Sequence, residues 1–142
     1  MTTTSAGSRN ETALDRAVER WNAGDLEGYL KIYAEGIRLH GMSPEPLDEQ
    51  GVRAAYARLF AAFPHSHLEL HETFSAGDRL TCRFTLTGRH DGDYMGIAPT
   101  GRDIALPGIT ILHFQDGLCV ERWVCADTLG LLVQLGAVPP PA

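Results

Sequence analysis

The chain has few of the features that mark an exported, membrane-bound or disulfide-stapled protein. Its 142 residues contain three cysteines, no CxxC pair and a single lysine, Lys31. No stretch approaches the roughly 18 consecutive apolar residues that a membrane span requires. Met1 to Asn10 lacks the apolar core that a signal peptide needs. We therefore expect a cytoplasmic protein whose cysteines are reduced.

An excess of positive charge is also missing. The formal net charge is −6 at pH 7, whereas binding to a phosphate backbone requires clustered lysine and arginine. Nucleic acid is therefore not an expected partner. A metal site is not expected either, because His65, His67 and His71 come without the cysteines or carboxylates that would complete a ligand set.

The length fits one domain with one core. We assign residues 11–138 to that domain, and we find no repeat or linker within it. Residues 1–10 and 139–142 are polar or proline-rich. They are expected to form disordered tails, because such termini cannot bury enough apolar surface to stay ordered.

The first half of the chain has mainly helical patterns. Apolar residues from Leu14 to Trp21 recur with helical spacing. Asp25 can cap a second, short helix, and Val52 to Phe63 predicts a third. Ile37 to His40 can form a strand between the second and third helices.

The second half alternates like a sheet. Four strands are predicted, at His67 to Ser75, Leu80 to His90, Ile104 to Phe114 and Leu118 to Ala126. Asp116-Gly117 predicts a two-residue hairpin turn between the last two strands. A final helix from Thr128 to Leu135 ends at Gly136, a typical residue just beyond a helix.

Helices followed by an antiparallel meander favour an α+β fold, with the helices packed on one face of a curved sheet. A strongly bent sheet covered by helices encloses a cavity. That cavity is the expected functional site.

Three stretches of the chain resemble the SnoaL-like polyketide cyclase, or ester cyclase, family. They are TGRHDGDYMGIAPTGR (87–102), FQDG (114–117) and DTLGLLVQLG (127–136). The segments WNAGD and LFAAFPHSHLEL fit the same pattern, so the resemblance extends over about residues 11–136. It implies the cone-shaped fold of the nuclear transport factor 2-like superfamily and a homodimer formed through the sheet. It also implies cofactor-free ring closure in a polyketide-derived small molecule.

The family's aldol cyclases carry a catalytic aspartate on the last strand and a facing histidine on the strand before it. The matching positions of this chain hold Val124 and Thr110. The predicted hairpin places these two residues within one position of facing each other. The resemblance therefore implies a cyclase without that pair. Asp127 matches a second aspartate of the family.

Three residues are candidates for acid/base catalysis. Asp127 precedes a helix, so it is either a helix cap or a carboxylate at the cavity mouth. His40 ends the first strand, where an imidazole could move a proton or could simply hold a structural hydrogen bond. His90 lies in the family's GRH motif, whose role is either catalytic or the shaping of the loop that follows.

Seven residues are predicted to line the substrate cavity: Trp21, Tyr33, Tyr56, Phe60, Thr110, Leu112 and Val124.

Two mechanisms of ring closure stay open. In the first, Asp127 or His40 abstracts a carbon-bound proton and the resulting enolate closes the ring in an aldol-type reaction. In the second, an apolar pocket folds a reactive substrate into the productive conformation, as a pericyclic cyclisation requires. The absent pair favours the second. The alternatives are a hydroxylase, an epoxide hydrolase and a non-catalytic small-molecule binding protein, all of which the fold accommodates.

Overall fold

The computed structural model describes residues 6–141. Within that range the chain forms four helices and five strands. In chain order these are α1 (Ala6–Asn22), α2 (Leu26–Leu30), β1 (Tyr33–His40), α3 (Glu49–Ala62), β2 (His67–Ala76), β3 (Arg79–Arg89), β4 (Asp103–Gln115), β5 (Leu118–Ala126) and α4 (Thr128–Gln134). Every helix and strand predicted from the sequence is present.

The first helix is longer than the sequence pattern indicates. It begins at Ala6, so the described part of the predicted tail 1–10 is helical. Asn10 is buried in this extension with only 5% of its surface exposed, which means that tertiary packing holds a turn whose composition is not typical of a helix. Residues 1–5 and 142 lie outside the described residues, and the domain bounds 11–138 stay a prediction.

The five strands form one curved, open sheet in the order β1-β5-β4-β3-β2. The predicted antiparallel meander is confirmed for β2 to β5. β1 pairs with β5 in parallel, which makes the sheet mixed. Parallel neighbours require a long connection, and here α3 and the whole meander separate the two strands along the chain.

The tight turn between β4 and β5 has the geometry that its sequence demands. Asp116 and Gly117 both have positive φ angles, 52° and 82°, as a type I′ turn requires at its two central residues. Asp-Gly is one of the few dipeptides that tolerate this conformation. The turn therefore fixes where β5 begins to pair with β4.

The helices cover one face of the sheet. α1 packs on β2 and β3, α3 on β1, and α4 on β4. The core between these helices and the sheet holds large side chains with almost no exposure, among them Trp21, Ile37, Phe63, Leu112 and Leu131. No helix of the described part is long and apolar enough to cross a membrane.

Candidate functional site

A cavity of about 350 Å³ lies between the inner face of the sheet and the covering helices. Most of its wall is apolar. Representative wall residues are Leu14 and Val18 of α1, Leu68 and Leu70 of β2, and Phe84 and Leu86 of β3. Met42, Met95 and Thr128 also line it. Met95 is 73% exposed, so this residue lies where the cavity opens to solvent. The predicted cavity is confirmed.

A buried arginine provides the strongest polar feature of the cavity wall. Arg122 of β5 lines the cavity but is only 8% exposed. Its Nε donates to Thr110 Oγ1 at 2.9 Å. Its Nη1 lies 2.9 Å from Tyr29 Oη and 3.0 Å from Tyr56 Oη, and it also contacts Tyr33 Oη. No salt bridge joins this guanidinium to a carboxylate of the described residues.

A β-bulge directs Arg122 towards the inside. His113 pairs with Glu121 but Phe114 pairs with Cys119, which leaves Val120 unpaired on β5. Residues three apart on a regular strand lie on opposite faces. The extra residue reverses the alternation, so that Cys119 and Arg122 are both buried.

The same bulge accounts for the register of the hairpin. The turn alone predicts Thr110 and Val124 to be one position out of alignment, and the extra residue at Val120 brings them directly opposite each other. Their predicted pairing is therefore confirmed. Val124 lines the cavity, whereas the Thr110 hydroxyl donates to the Trp123 carbonyl at 2.7 Å and accepts from Arg122.

Tyr29 and Tyr33, two of the tyrosines around Arg122, remain neutral at physiological pH. Burial raises the pKa of Tyr29, with a further rise from Tyr56, and Arg122 offsets only part of it. Burial likewise raises the pKa of Tyr33. For Arg122, burial lowers the pKa, but the oxygens of Tyr33, Tyr56 and Tyr29 outweigh burial and raise it above its usual value. Arg122 therefore keeps its positive charge within the cluster of Arg122, Tyr29, Tyr33 and Tyr56, here called the Arg122 cluster.

Asp127 is the N-cap of α4. Its Oδ1 accepts from the Gly130 backbone N–H at 2.9 Å, and the residue is exposed. The adjacent Thr128 lines the cavity, but Asp127 is not among the lining residues. The capping role predicted for this carboxylate is confirmed. Its catalytic role stays a prediction.

His40 lies on the opposite face of the sheet from the cavity. Its Nε2 is 2.8 Å from Glu121 Oε2. Its ring stacks on Trp123, with ring centroids 5.3 Å apart and an angle of 8° between the planes. The buried neighbours of β1 are Ile37 and Leu39, so strand alternation turns His40 outward.

His90 is fully buried and supports the loop that follows β3. Its Nδ1 accepts from the Thr100 backbone N–H at 3.1 Å and lies 3.0 Å from Thr100 Oγ1. Its backbone N–H donates to the Arg102 carbonyl at 2.8 Å, and its carbonyl accepts from Gly101 at 2.9 Å. His90 therefore joins the two ends of this loop, which brings Tyr94 and Met95 to the cavity wall.

The predicted substrate-binding residues fall into three groups. Trp21, Tyr56 and Val124 line the cavity. Tyr33 and Thr110 are not lining residues, but each forms a hydrogen bond with the Arg122 guanidinium. Phe60 packs edge-on against Trp21 at 4.9 Å between ring centroids, and Leu112 is a fully buried core residue. Neither of the last two is among the lining residues.

Comparison with known proteins identifies the family. Residues 11–135 match the sequence model of the SnoaL-like polyketide cyclases. The chain belongs to the SnoaL-like polyketide cyclase family. Two relatives are aklanonic acid methyl ester cyclases. AcmA of Streptomyces galilaeus is 30% identical over 138 residues, covering 91% of this chain and 92% of AcmA. DnrD of Streptomyces peucetius is 30% identical over 129 residues, covering 85% of this chain and 86% of DnrD.

A solved structure of a relative has the same fold. AclR of Streptomyces galilaeus, described as a candidate hydroxylase, superimposes with a TM-score of 0.87 at 28% identity, over 96% of this chain and 90% of AclR. The fold of SnoaL-like cyclases predicted from the sequence is thus confirmed. One family fold accommodates relatives with different assigned chemistries.

Sequence reasoning missed two residues of this SnoaL-like site, Arg122 and Tyr29. A signal for Arg122 was present in the hairpin register. Thr110 and Val124 are paired on the cavity face. Arg122 lies two positions before Val124 on the same strand, so its side chain points to the same face. An arginine at a cavity-facing position of a buried strand is unusual enough to indicate a function. Tyr29 had no comparable signal, because its helical spacing is also typical of a core residue.

No group of three or more histidine, cysteine or acidic side chains suited to a metal ion occurs among residues 6–141. Two of the three cysteines, Cys82 and Cys119, are buried and reduced. Burial raises the pKa of both thiols, that of Cys119 to about 11. Although Cys82 lines the cavity, it stays a thiol at neutral pH and is therefore a poor nucleophile.

Proposed function

We propose that this protein is a cofactor-free cyclase that closes a ring in a polyketide-derived substrate by holding it folded in the cavity. Membership of the SnoaL-like family and the 30% identity to two aklanonic acid methyl ester cyclases support a cyclisation. The mechanism we favour is conformational templating with electrostatic help from the Arg122 cluster. Like the second of the two mechanisms that the sequence leaves open, it needs no base from the protein, and it can also serve an aldol-type closure.

The composition of the cavity wall carries this proposal. Among the described residues, none that lines the cavity carries a carboxylate or an imidazole. Asp127 caps α4 through the Gly130 N–H, His40 pairs with Glu121 on the other face of the sheet, and neither residue lines the cavity. A general base must come within hydrogen-bond reach of the proton that it abstracts. A mechanism that needs no protein base therefore fits this wall best.

The cavity supplies orientation. Apolar walls from the sheet and α1 constrain a flexible chain, while Arg122 and Tyr56 position one oxygen of the substrate. In an aldol-type closure, a substrate carbon first loses its proton to water, and the resulting enolate bonds to a carbonyl carbon of the same molecule. The displaced carbonyl electron pair becomes an alkoxide, which takes a proton back from the solvent. Holding the two carbons in contact converts an improbable encounter into a frequent one.

The experiment is turnover by the purified protein and two variants. We expect the wild type to convert aklanonic acid methyl ester, the compound named for AcmA and DnrD, to a product of equal mass or of that mass less one water. His40→Ala and Asp127→Asn should each retain kcat within about threefold of wild type, since acid/base help contributes on the order of 10²–10⁴ in rate. A hundredfold loss in a correctly folded variant would instead assign that side chain to proton transfer.

A hydroxylase is the second candidate, favoured by the structural similarity to AclR. The same assay separates the two chemistries, because hydroxylation adds an oxygen atom to the product and cyclisation does not. A protein that binds the substrate without changing its mass or its retention time would be the non-catalytic binding protein.

A further inference from the structure

The Arg122 cluster is a charged group inside an apolar cavity, and no described residue supplies its counter-ion. Arg122 is 8% exposed, and no carboxylate of the described residues pairs with its guanidinium. Buried charges are normally paired, because removing them from water is costly. The three surrounding tyrosines supply hydroxyl acceptors and not carboxylates. A complementary anion would have to come from the ligand.

The hydrogen bonds of the cluster leave specific donors free. Arg122 uses Nε and Nη1 for Thr110 and the tyrosines, and none of its hydrogen bonds to described residues involves Nη2. Nη2 is not one of the fully buried side-chain atoms without a hydrogen-bond partner. Part of its surface is therefore accessible. Since Arg122 lines the cavity, the two Nη2 hydrogens are available to an occupant.

The tyrosine protons add one further donor. Tyr33 Oη donates to Tyr56 Oη at 3.1 Å. Because a phenol has one proton, the 2.7 Å contact between Tyr29 and Tyr33 must then be a donation by Tyr29. Tyr56 accepts from Tyr33 and Arg122 and donates to no described residue. Tyr56 lines the cavity, so its O–H is the free end of this chain of hydrogen bonds.

The geometry points to an oxyanion-binding site formed by Arg122 Nη2 and Tyr56 Oη, which takes the ligand as a resonance-stabilised oxygen anion, either a carboxylate or the enolate of a 1,3-dicarbonyl. The site offers donors and a positive charge, and the low dielectric of the apolar wall strengthens both. Thr110, Tyr29 and Tyr33 hold the guanidinium in place before the ligand arrives. This preorganisation keeps reorganisation on binding small.

The inference deepens the proposed function by stating in which ionisation state the substrate binds. A cavity that favours the enolate lowers the free energy needed to lose a carbon-bound proton. Water can then accept that proton, which is consistent with a wall to which residues 6–141 contribute no carboxylate or imidazole. The ligand chemistry itself can be tested without turnover.

The test compares binding of paired probes of equal shape. Dissociation constants of 2-naphthoate and its neutral amide, 2-naphthamide, are measured by calorimetry at neutral pH. We expect the wild type to bind the anion at least about tenfold more tightly, because hydrogen bonds to charged groups are roughly twice as strong as neutral ones. Arg122→Gln should abolish this preference. Tyr56→Phe should reduce it, which keeps the test valid if Arg122→Gln does not fold.

Tyr94→Phe is the matched control, because Tyr94 is a cavity-lining tyrosine outside the Arg122 cluster. It should leave the ratio of the two dissociation constants unchanged. A second arm uses 2-acetylcyclohexane-1,3-dione, whose enolate dominates at neutral pH. Tight, Arg122-dependent binding of this compound indicates an enolate site, and a preference confined to naphthoate indicates a carboxylate site.

Equal affinity of the wild type for naphthoate and naphthamide would overturn the oxyanion site and leave the proposed cyclase function standing. An anion preference that survives in both Arg122→Gln and Tyr56→Phe would overturn it as well, since the anion would then bind elsewhere. Absence of turnover together with a clear, Arg122-dependent anion preference would reject the cyclase function and support the oxyanion site.

Discussion

At the scale of single residues, what a side chain can do here depends on which partner it already has. Asp127 accepts the Gly130 N–H, and His40 pairs with Glu121 outside the cavity. His90, itself buried, holds Thr100 in the largely exposed loop that follows β3. Arg122 is the opposite case, because its charge has no carboxylate partner within reach among the described residues. The residue best suited to act on a ligand is therefore the one whose charge the protein leaves uncompensated.

The capping role of Asp127 gives a prediction at this scale. Asp127→Ala should lower the free energy of unfolding by about 1 kcal/mol, because the first turn of α4 loses the acceptor for its N–H. Asp127→Asn should cost less, since asparagine is an equally good cap. Urea denaturation measures both. Equal losses in the two variants would mean that the negative charge, and not the cap, stabilises this helix.

At the scale of elements, two irregularities of the strands shape the cavity. The bulge at Val120 turns Arg122 inward. At the end of β1, Gly41 packs directly on β5, and a Cβ built on it would lie 1.9 Å from the Val124 carbonyl oxygen. Gly41 has a φ angle of +106° and itself lines the cavity. The close contact between β1 and β5 at the cavity rim therefore depends on a glycine.

Substitution of Gly41 tests this contact. Gly41→Ala should destabilise the protein by on the order of 1–3 kcal/mol, because the backbone conformation is strained for an alanine and the added methyl group collides with β5. Gly36→Ala, in β1, is the matched control. Its Cβ would meet no atom within 4 Å, so we expect a change near zero. A thermal melt of each variant provides the measurement, and similar melting temperatures would contradict the claim.

At the scale of the whole molecule, the sheet has two different faces. The inner face closes the cavity under the helices. The outer face carries apolar side chains that nothing in the described chain covers, including Ile109 at 54% exposed and Ile111 at 39%. Trp123 lies beside them, opposite Ile111 on β5. This surface is where the predicted homodimer through the sheet would form.

The dimer prediction can be tested by introducing a charge on that face. Ile111→Glu should shift the protein from dimer to monomer in size-exclusion chromatography with light scattering, because a two-fold interface would bury the new carboxylate next to its own copy. Leu129→Glu is the control, since Leu129 is 54% exposed on α4 and away from the sheet face. A wild type that is monomeric, or an Ile111→Glu variant that stays dimeric, would contradict the prediction.

Local patterns in the sequence determined much of this protein. Local patterns predicted the presence of every helix and strand, although β1 begins at Tyr33 and not at Ile37. The Asp116-Gly117 dipeptide determined the hairpin turn, and cap chemistry identified Asp127. Each of these depends on residues a few positions apart. For the same reason the parity of β5 placed Val124, and in principle Arg122, on the cavity side.

The tertiary structure alone decided which of these residues meet. Tyr29, Tyr33 and Tyr56 are 93, 89 and 66 positions away from Arg122 along the chain, and no periodicity predicts that they converge on one nitrogen. The parallel place of β1 and the outward direction of His40 likewise follow from packing between distant segments. Hydrogen bonds over such separations form only after the helices and the sheet have packed together. Local sequence patterns therefore predicted the cavity, but not the cluster of tyrosines around the arginine in its wall.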